Sequence, residues 1–211
     1  MKIVKLQSYG YESNCWLIID ECSGEFAMVD PSVQPAEIDN KIERLGLLGE
    51  KFKYALLTHG HFDHIYSVDY VRSKYHCKLC IHEADADCLI DSNKNANSLF
   101  FGEELVFAPA DVKLCDSDEL YLGDLKITVV HTPGHTPGCV CYLVGNALMC
   151  GDTLFDMSIG RTDLPGGNDI TMCESLKKLS DMDGAIKIYP GHGDISTIEE
   201  QVKYNPYLKG I

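Results

Sequence analysis

The sequence feature that most constrains this chain is one short run rich in histidine, His59-Gly60-His61-Phe62-Asp63-His64. The run follows Tyr54–Leu57, a brief apolar segment that we predict to be a strand. Side chains two residues apart on an extended backbone point the same way, so His59 and His61 can bind one metal ion together. Asp63 and His64 lie where the chain must turn towards the next helix, so this pair can serve a second metal ion close by.

Chance does not account for this run. The pattern His-x-His-x-Asp-His should arise in about one in a thousand sequences of this composition, which has 8 histidines in 211 residues. Further ligand-type residues follow predicted strands, each beside a glycine that lets the backbone come close: His135, Asp152 and His192. We therefore predict that one edge of the fold gathers seven metal ligands, which are His59, His61, Asp63, His64, His135, Asp152 and His192.

Composition and charge narrow the classes of function. The chain is 45% hydrophobic and 24% charged, which is ordinary for one globular domain and excludes a disordered or fibrous protein. Its formal net charge of −14 repels phosphate backbones and anionic membranes. No apolar run is long enough to span a membrane, and Met1 to Gln7 has no signal-peptide core. We expect a cytoplasmic protein that binds neither nucleic acid nor membrane.

Alternating and apolar runs predict two β-rich halves, each with helices on its outer side. The predicted strands are Lys2–Leu6, Asn14–Ile19, Glu25–Val29, Tyr54–Leu57, Lys78–Ile81, Leu105–Phe107, Glu119–Leu122, Lys126–Val130, Cys139–Leu143, Ala147–Cys150 and Ile186–Tyr189. Five helices are predicted. The first begins at Pro35 and ends by Gly46, the second covers Ser67–Tyr75, and a short third starts at Glu83. The fourth covers Ile170–Leu179, and the fifth runs from Ser196 to about Tyr204. Ser196 and Glu199 match a capping box for the last helix. The predicted irregular segments are the turns Ser8–Ser13 and Asp20–Gly24 and the polar insertion Asp91–Gly102.

The ten cysteines do not predict a disulfide framework. A chain of this length builds its own hydrophobic core, and no export signal points to an oxidising compartment. Cys77 and Cys80 have CxxC spacing, but no second CxxC completes a zinc ribbon. We interpret the cysteines as reduced thiols that serve mainly as small hydrophobic residues.

Four motifs together resemble the metallo-β-lactamase superfamily, and within it the short bacterial glyoxalase II-like hydrolases. They are Thr58–His64 (THGHFDH), Thr132–Gly138 (TPGHTPG), Gly151–Phe155 (GDTLF) and Pro190–Gly193 (PGHG), and they follow the family's order. The resemblance implies an α/β (α+β) fold, a four-layer αββα sandwich, as a single domain over residues 1–211. Only 19 residues follow His192, too few for the C-terminal helical appendage that helps larger glyoxalase II enzymes hold glutathione.

The resemblance also implies a binuclear metal site. His59, His61 and His135 would hold the first metal ion. Asp63, His64 and His192 would hold the second, and Asp152 would bridge the two. Five imidazoles and two carboxylates without a thiolate suit two Zn²⁺ ions per chain, although iron or manganese also fits this ligand set.

The function implied is hydrolysis of a small thioester of the S-D-lactoylglutathione type by a metal-bridging hydroxide, with Asp63 and Asp152 as catalytic residues. The charges of two divalent ions, two carboxylates and a hydroxide sum to about +1. This local positive charge would attract an anionic substrate to an acidic protein. The metals would lower the pKa of their shared water. Arg161 is the candidate for binding a substrate carboxylate, and Asp30 and His131 are candidates for contacting a metal-bound imidazole.

The chief alternative is a persulfide dioxygenase, whose motifs this chain also resembles. One iron would then be held by His59, His135 and Asp152. Two zinc ions per chain would favour hydrolysis, whereas one iron with oxygen uptake would favour oxidation. A serine hydrolase is disfavoured because no GxSxG elbow is present, and RNA processing is disfavoured because the chain lacks a basic face.

Overall fold

Two six-stranded sheets form the centre of the fold in a computed structural model that describes residues 1–6 and 13–209. The strands are β1 (Lys2–Leu6), β2 (Cys15–Ile19), β3 (Phe26–Val29), β4 (Phe52–Leu56), β5 (Lys78–His82), β6 (Val112–Leu114), β7 (Glu119–Leu122), β8 (Leu125–His131), β9 (Val140–Val144), β10 (Ala147–Gly151), β11 (Leu154–Phe155), β12 (Ser158–Ile159), β13 (Lys187–Pro190) and β14 (Ser196–Thr197). The α-helices are α1 (Pro35–Arg44), α2 (Phe62–Ile65), α3 (Val68–Tyr75), α4 (Asn97–Phe101), α5 (Asp169–Ser180) and α6 (Ile198–Tyr204). Short 3₁₀ helices cover Gly49–Lys51 and Glu83–Leu89.

Strand direction brings the ends of several strands to one edge. The first sheet has the order β1-β2-β3-β4-β5-β6, and β3 to β6 run parallel. The second has the order β14-β13-β10-β9-β8-β7, in which β10 and β13 are parallel and β9 is antiparallel to both β8 and β10. The carboxyl ends of β8, β10 and β13 therefore point the same way, and the loops that follow them meet.

Alternation along the strands explains the layers. In β2, Trp16 and Ile18 face a core formed between the two sheets, whereas Leu17 faces a second core shared with α1, α2 and α3. In β10, Met149 faces the core between the sheets and Leu148 faces a third core shared with α5 and α6. Helix, sheet, sheet and helix thus stack as four layers, which confirms the predicted αββα sandwich.

Some predicted elements were wrong in detail. Leu105–Phe107 is not a strand, because β6 takes the place beside β5 and Phe107 donates instead to the carbonyl of Leu89. The cap of α6 is Thr197 rather than Ser196, which lies in β14 and donates to Glu200. The insertion Asp91–Gly102 contains α4, a short helix that its polar composition did not indicate. The predicted turn Ser8–Ser13 lies outside the described residues except for Ser13.

The helices of the described residues are short, and the 12-residue α5 is the longest of them. None of the helices in that part of the chain is long and apolar enough to cross a bilayer.

The thiols of Cys77 and Cys80 are buried, and no disulfide joins them. Burial raises the pKa of each thiol to about 12. Both side chains are therefore protonated at neutral pH, which agrees with the structural interpretation.

Tyr142 in β9 ties the two sheets together. Its side chain is fully buried, and its hydroxyl donates to the carbonyl of Leu57 at 2.7 Å. Tyr142→Phe removes this donor and leaves a buried carbonyl without it, so we expect a loss of about 1 kcal/mol in the free energy of unfolding. Urea denaturation measures the loss. Tyr54→Phe is the matched control, because Tyr54 is half-buried against the same core; equal midpoints for the two variants would contradict this role.

Candidate metal centre

Strand ends of both sheets bring the seven predicted ligands together. His59 and His61 follow β4, and Asp63 and His64 lie on α2, which begins directly afterwards. The other three lie in loops at the same edge of the second sheet, and they are His135 after β8, Asp152 after β10 and His192 after β13. Within this set, three groups of side chains have ligand atoms within 4.8 Å of one another: His59, His61 and His135; His59, His64 and Asp152; and Asp63, His64 and His192.

The first group is an array of imidazole rings. The ring centroids of His59 lie 4.8 Å from those of both His61 and His135. His135 Nδ1 lies 2.6 Å from the carbonyl oxygen of Arg161, so this nitrogen carries the proton and Nε2 carries a lone pair. That Nε2 lies 2.8 Å from His61 Nδ1. Two imidazole nitrogens therefore converge on one point.

The third group, Asp63, His64 and His192, pairs two imidazoles with a carboxylate. His192 Nε2 lies 3.3 Å from Asp63 Oδ2, and His64 Nε2 lies 3.7 Å from the same oxygen. Asp152 lies between the two groups, with its carboxylate oxygens 3.3 Å from His64 Nε2 and 3.6 Å from the Nε2 atoms of His135 and His192. A carboxylate in this position can contact two ions at once.

Four polar atoms at this site are buried and have no hydrogen-bond partner among the described residues: His59 Nε2, His61 Nε2, His64 Nε2 and Asp152 Oδ1. His64 Nδ1 donates to Asp30, and Nε2 of the same ring faces the carboxylate of Asp152 at 3.3 Å. Without a metal ion, a proton on His64 supplies the positive charge beside these carboxylates, because they raise the pKa of the ring. A divalent ion bound by Nε2 would replace that proton, so the buried atoms His59 Nε2, His64 Nε2 and Asp152 Oδ1 fit the ligands of metal ions.

Burial and charge set the protonation of the histidines. Burial, followed by the neighbouring His64, His61 and His135, holds the pKa of His59 well below its ordinary value. Burial and then His135 lower the pKa of His61 to about 3. Both imidazoles are therefore neutral at pH 7, which is the form that binds a metal ion.

The carboxylates act in the opposite direction on His64. Burial alone lowers the pKa of this imidazole, but Asp152, Asp63 and Asp30 together raise it well above its ordinary value. Burial would raise the pKa of Asp152 and Asp63, but the nearby imidazoles, His64 first, hold both below the ordinary range. Both carboxylates are ionised at neutral pH.

Asp30 holds the site from outside the ligand set, as predicted. Its carboxylate accepts from Thr58 N at 2.8 Å, from Thr58 Oγ1 at 2.7 Å and from His64 Nδ1 at 2.9 Å. The backbone of Asp30 has φ +50°, a left-handed conformation that is uncommon for a residue with a side chain. The same carboxylate thus fixes the start of the His59 run and the tautomer of His64.

Glycines let the loops approach the ligands, as the sequence predicts. A Cβ on Gly191 would overlap Asp152 Oδ1 and would lie 2.8 Å from His64 Cε1. A Cβ on Gly160 would overlap the carbonyl oxygen of Asp152. Neither overlap can be relieved by a flexible side chain, so glycine is required at both positions.

The main residue that sequence reasoning missed is Asp85, in the 3₁₀ helix after β5. Its buried carboxylate accepts from Gly60 N at 3.1 Å, from Thr136 Oγ1 at 2.6 Å and from Gly138 N at 2.7 Å. It joins the loop of His59 and His61 to the loop of His135. No motif or spacing marks Asp85, because its three partners come from distant parts of the sequence.

Asn14 is a second residue near the site that the sequence analysis did not identify. Its side-chain amide donates to the carbonyls of Pro190 and Gly193, at 3.0 Å each, and its backbone N–H donates to Gly191. These bonds fix the loop that carries His192, whose side chain is 39% exposed whereas the other imidazoles of the site are buried.

Two further predicted residues lie apart from the seven ligands. Arg161 borders the site, but its guanidinium makes a two-pronged ion pair with Asp163, at 2.6 and 2.8 Å. His131 stacks on His82, with ring centroids 4.1 Å apart, and its Nε2 lies 2.9 Å from the carbonyl oxygen of Pro137. Among the described residues, His131 contacts His82 and Pro137 rather than a predicted ligand, so of the two candidates for contacting a metal-bound imidazole only Asp30 does so.

A cavity of about 350 Å³ opens over the ligands. Its floor contains His61, Asp63, His135, Asp152 and His192. A cavity of this size holds a small molecule or the reacting end of a larger one.

Comparison with known families agrees with this geometry. The family model of the metallo-beta-lactamase superfamily matches residues 9–192. The chain belongs to the metallo-beta-lactamase superfamily.

Relatives in this superfamily span nearly the whole chain. A Bacillus subtilis protein named probable metallo-hydrolase YqgX is 34% identical over 205 residues, covering 95% of this chain and 94% of that protein. Probable metallo-hydrolase MJ0888 of Methanocaldococcus jannaschii is 32% identical over 199 residues, covering 92% and 93%. With the His/Asp site, these likenesses place the chain among the metal-dependent hydrolases of the superfamily.

Solved structures show the same fold. The BLEG-1 B3 metallo-beta-lactamase has a TM-score of 0.92 at 31% identity, covering 99% of this chain and 100% of its own. ETHE1 from Myxococcus xanthus has a TM-score of 0.83 at 26% identity, covering 100% of this chain and 85% of its own. TTHA1623, solved in a di-iron-bound form, also has a TM-score of 0.83, at 27% identity, covering 97% and 100%.

Asp85→Asn tests the link between the two ligand loops of this superfamily member. An amide offers one acceptor oxygen in place of two, and its NH₂ group would face a backbone N–H, so the loops should separate. We expect metal affinity to fall about 10- to 100-fold, measured by competition with a chromogenic chelator. Asp87→Asn is the control, since Asp87 is an exposed neighbour paired with Lys94 at 2.6 Å. Equal metal affinity in the two variants would show that Asp85 does not position the ligands.

Proposed function

We propose that the protein hydrolyses a small thioester, of the type of S-D-lactoylglutathione, with two metal ions at the His/Asp site. The observation that carries the proposal is that buried, unpartnered atoms, among them His59 Nε2, His64 Nε2 and Asp152 Oδ1, lie within three adjoining ligand groups. One ion would contact only one group. The group that contains Asp152 shares His59 with one neighbouring group and His64 with the other, which favours a pair of ions.

The proposed ligands follow these groups. His59, His61 and His135 would hold one ion, and Asp63, His64 and His192 would hold the other. Asp152 would be shared by the two. Zinc suits this ligand set, and iron or manganese would also fit; the di-iron form of TTHA1623 is a precedent for iron on this fold.

When bound, such ions polarise a carbonyl group and make a bound water acidic enough to act near neutral pH. Asp63 is partly exposed to the cavity and ionised, so it can accept a hydrogen bond from the attacking water and orient it. Asp152 is buried and keeps its negative charge between the two groups. The water oxygen bonds to the carbonyl carbon, the C–S bond breaks, and the products are a carboxylic acid and a thiol.

The protonation of the site supports a thioester over an amide. Asp63 and Asp152 both have lowered pKa values, so neither is a proton donor at neutral pH. A thiolate leaves without protonation far more readily than an amine does, because thiols are much stronger acids. With both carboxylates ionised and the imidazoles engaged as metal ligands, the site offers no ready general acid and suits a thiol leaving group.

A second candidate is a persulfide dioxygenase with one iron held by His59, His135 and Asp152. The likeness to the ETHE1 structure gives some support to this alternative. It leaves His61, Asp63, His64 and His192 without a direct role, which favours the binuclear hydrolase.

The deciding experiment combines metal analysis with two assays on protein purified without added metal. We expect two metal ions per chain and release of thiol from a thioester, with loss of activity on chelation and recovery on adding the metal. His59→Ala should lose metal and activity, whereas His131→Ala, which changes a histidine outside the site, should keep both. One iron per chain with oxygen uptake on a persulfide would support the alternative, and hydrolysis of a β-lactam without thioesterase activity would overturn both.

Arg161 is proposed to bind a substrate carboxylate at the rim of the cavity. Arg161→Ala should raise the KM of an anionic thioester far more than it lowers kcat, because an ion pair to a non-reacting carboxylate stabilises the bound substrate and the transition state equally. The backbone carbonyl of Arg161 that accepts from His135 is unchanged by the substitution.

Asp163→Asn is the companion variant, since it frees the guanidinium and should lower the same KM. Steady-state kinetics with a neutral and an anionic thioester measures both effects. An unchanged KM in Arg161→Ala would remove the proposed role.

A further inference from the structure

One wall of the cavity over the ligands is apolar. It contains aromatic and aliphatic side chains that no step of the proposed hydrolysis uses: Phe62, Phe100, Phe155, Ile159 and Leu164. Phe62 begins α2 beside the ligands, and Phe155 packs edge-on against His192 with centroids 5.8 Å apart. The apolar wall therefore begins directly beside the reacting centre.

The outer part of this wall is exposed. In α4, two consecutive aromatic side chains are largely open to solvent: Phe100 at 50% and Phe101 at 58%. The ring of Phe62 packs against both, with centroids 5.5 Å from Phe100 and 5.3 Å from Phe101. Clustered exposed apolar side chains at the mouth of a cavity are typical of a binding surface rather than of packing.

Phe62 and Asp63 also line a neighbouring cavity of about 360 Å³, together with Tyr66, Phe101 and Leu105. This second space continues the apolar surface away from the ligands. A substrate group longer than the first cavity thus has further apolar surface to cover.

Charge around the cavity does not favour an anionic group on this side. Among the described residues that line the first cavity, Arg161 is the only lysine or arginine, and Asp163 pairs with it. Glu103 and Glu104 line the second cavity. Negative charge beside the apolar surface would repel a carboxylate or phosphate.

We propose that this surface binds the acyl group of the substrate and that the acyl group is apolar. Among the thioesters of the proposed function, the preferred substrates are then those of aliphatic or aryl-substituted acids, and a lactoyl thioester is a poorer one. The proposal rests on the proposed thioesterase function and specifies its substrate class. Phe62 and Phe100 are the specificity-determining residues, because Phe62 lines both cavities and Phe100 packs against it in the wall of the first.

The test uses thioesters of one neutral thiol, N-acetylcysteamine, with acetyl, butyryl, hexanoyl and octanoyl groups, and with lactoyl for comparison. A fixed leaving group leaves the acyl chain as the variable. We expect kcat/KM to rise about two- to fourfold for each methylene that the wall covers, until the cavity is filled. Lactoyl should be a poorer substrate than butyryl.

Phe100→Ala should flatten this dependence, lowering kcat/KM for octanoyl about tenfold or more while leaving the acetyl thioester within about twofold. Leu99→Ala is the matched control, since Leu99 is exposed on the same helix but lines neither cavity. Metal content, measured on each variant, shows whether the ligands are intact. Phe100→Leu should restore part of the chain-length dependence.

Each outcome separates the two proposals. Equal kcat/KM for the acetyl and octanoyl thioesters would overturn the apolar acyl site, as would the same dependence of kcat/KM on chain length in wild type and Phe100→Ala. Either result would leave the proposed thioesterase function standing. No hydrolysis of any thioester by the metal-loaded protein would overturn the proposed function itself.

Discussion

The arrangement of this site depends on positive charge beside buried carboxylates. His64 Nε2 and Asp152 Oδ1 are buried 3.3 Å apart. Asp30 accepts from the opposite nitrogen of the same ring and so directs Nε2 at Asp152. Burying these carboxylates is costly unless a positive charge balances them, and a metal ion can replace the proton of His64 in that role, so the fold is built to hold metal.

Every loop around the ligands serves that arrangement. Asp30 holds the first sheet to the ligand helix, Asp85 holds the first ligand loop to the second, and Asn14 holds the loop of His192. All three are polar side chains that bond to backbone groups of the loops. Glycine at positions 160 and 191 brings those loops within contact distance of Asp152. The precision of the site thus comes from hydrogen bonds at its edge, while the sandwich below supplies rigidity.

Local patterns predicted the two β-rich halves and the candidate ligands, and the family resemblance implied the four layers. Strand alternation separates the faces of β2 and β10, and five of the seven candidate ligands follow an apolar strand and adjoin a glycine. A local pattern cannot show which residue from a distant part of the sequence a side chain will contact. Asp85 bonds to residues 25 to 53 positions away, and Leu105–Phe107 has strand composition but lies where no sheet edge is open. Arg161 looked free in the sequence, whereas Asp163, two residues later, pairs with it.

The α4 helix, which carries Phe100, is held by hydrogen bonds of polar side chains rather than by packing in a hydrophobic core. Its flanking segments are held by side-chain amides and a hydroxyl, with Asn95 donating to Leu105, Asn97 to Glu103, and Ser92 to Glu103. None of these bonds involves a ligand, and the apolar side chains of Leu99, Phe100 and Phe101 are not buried in any core. One backbone bond, from Phe62 N to the carbonyl of Asn95, joins this segment to the ligand helix α2. With the proposed acyl site, evolution could alter the range of acids that bind by changing the exposed face of α4 while the seven candidate ligands stay in place.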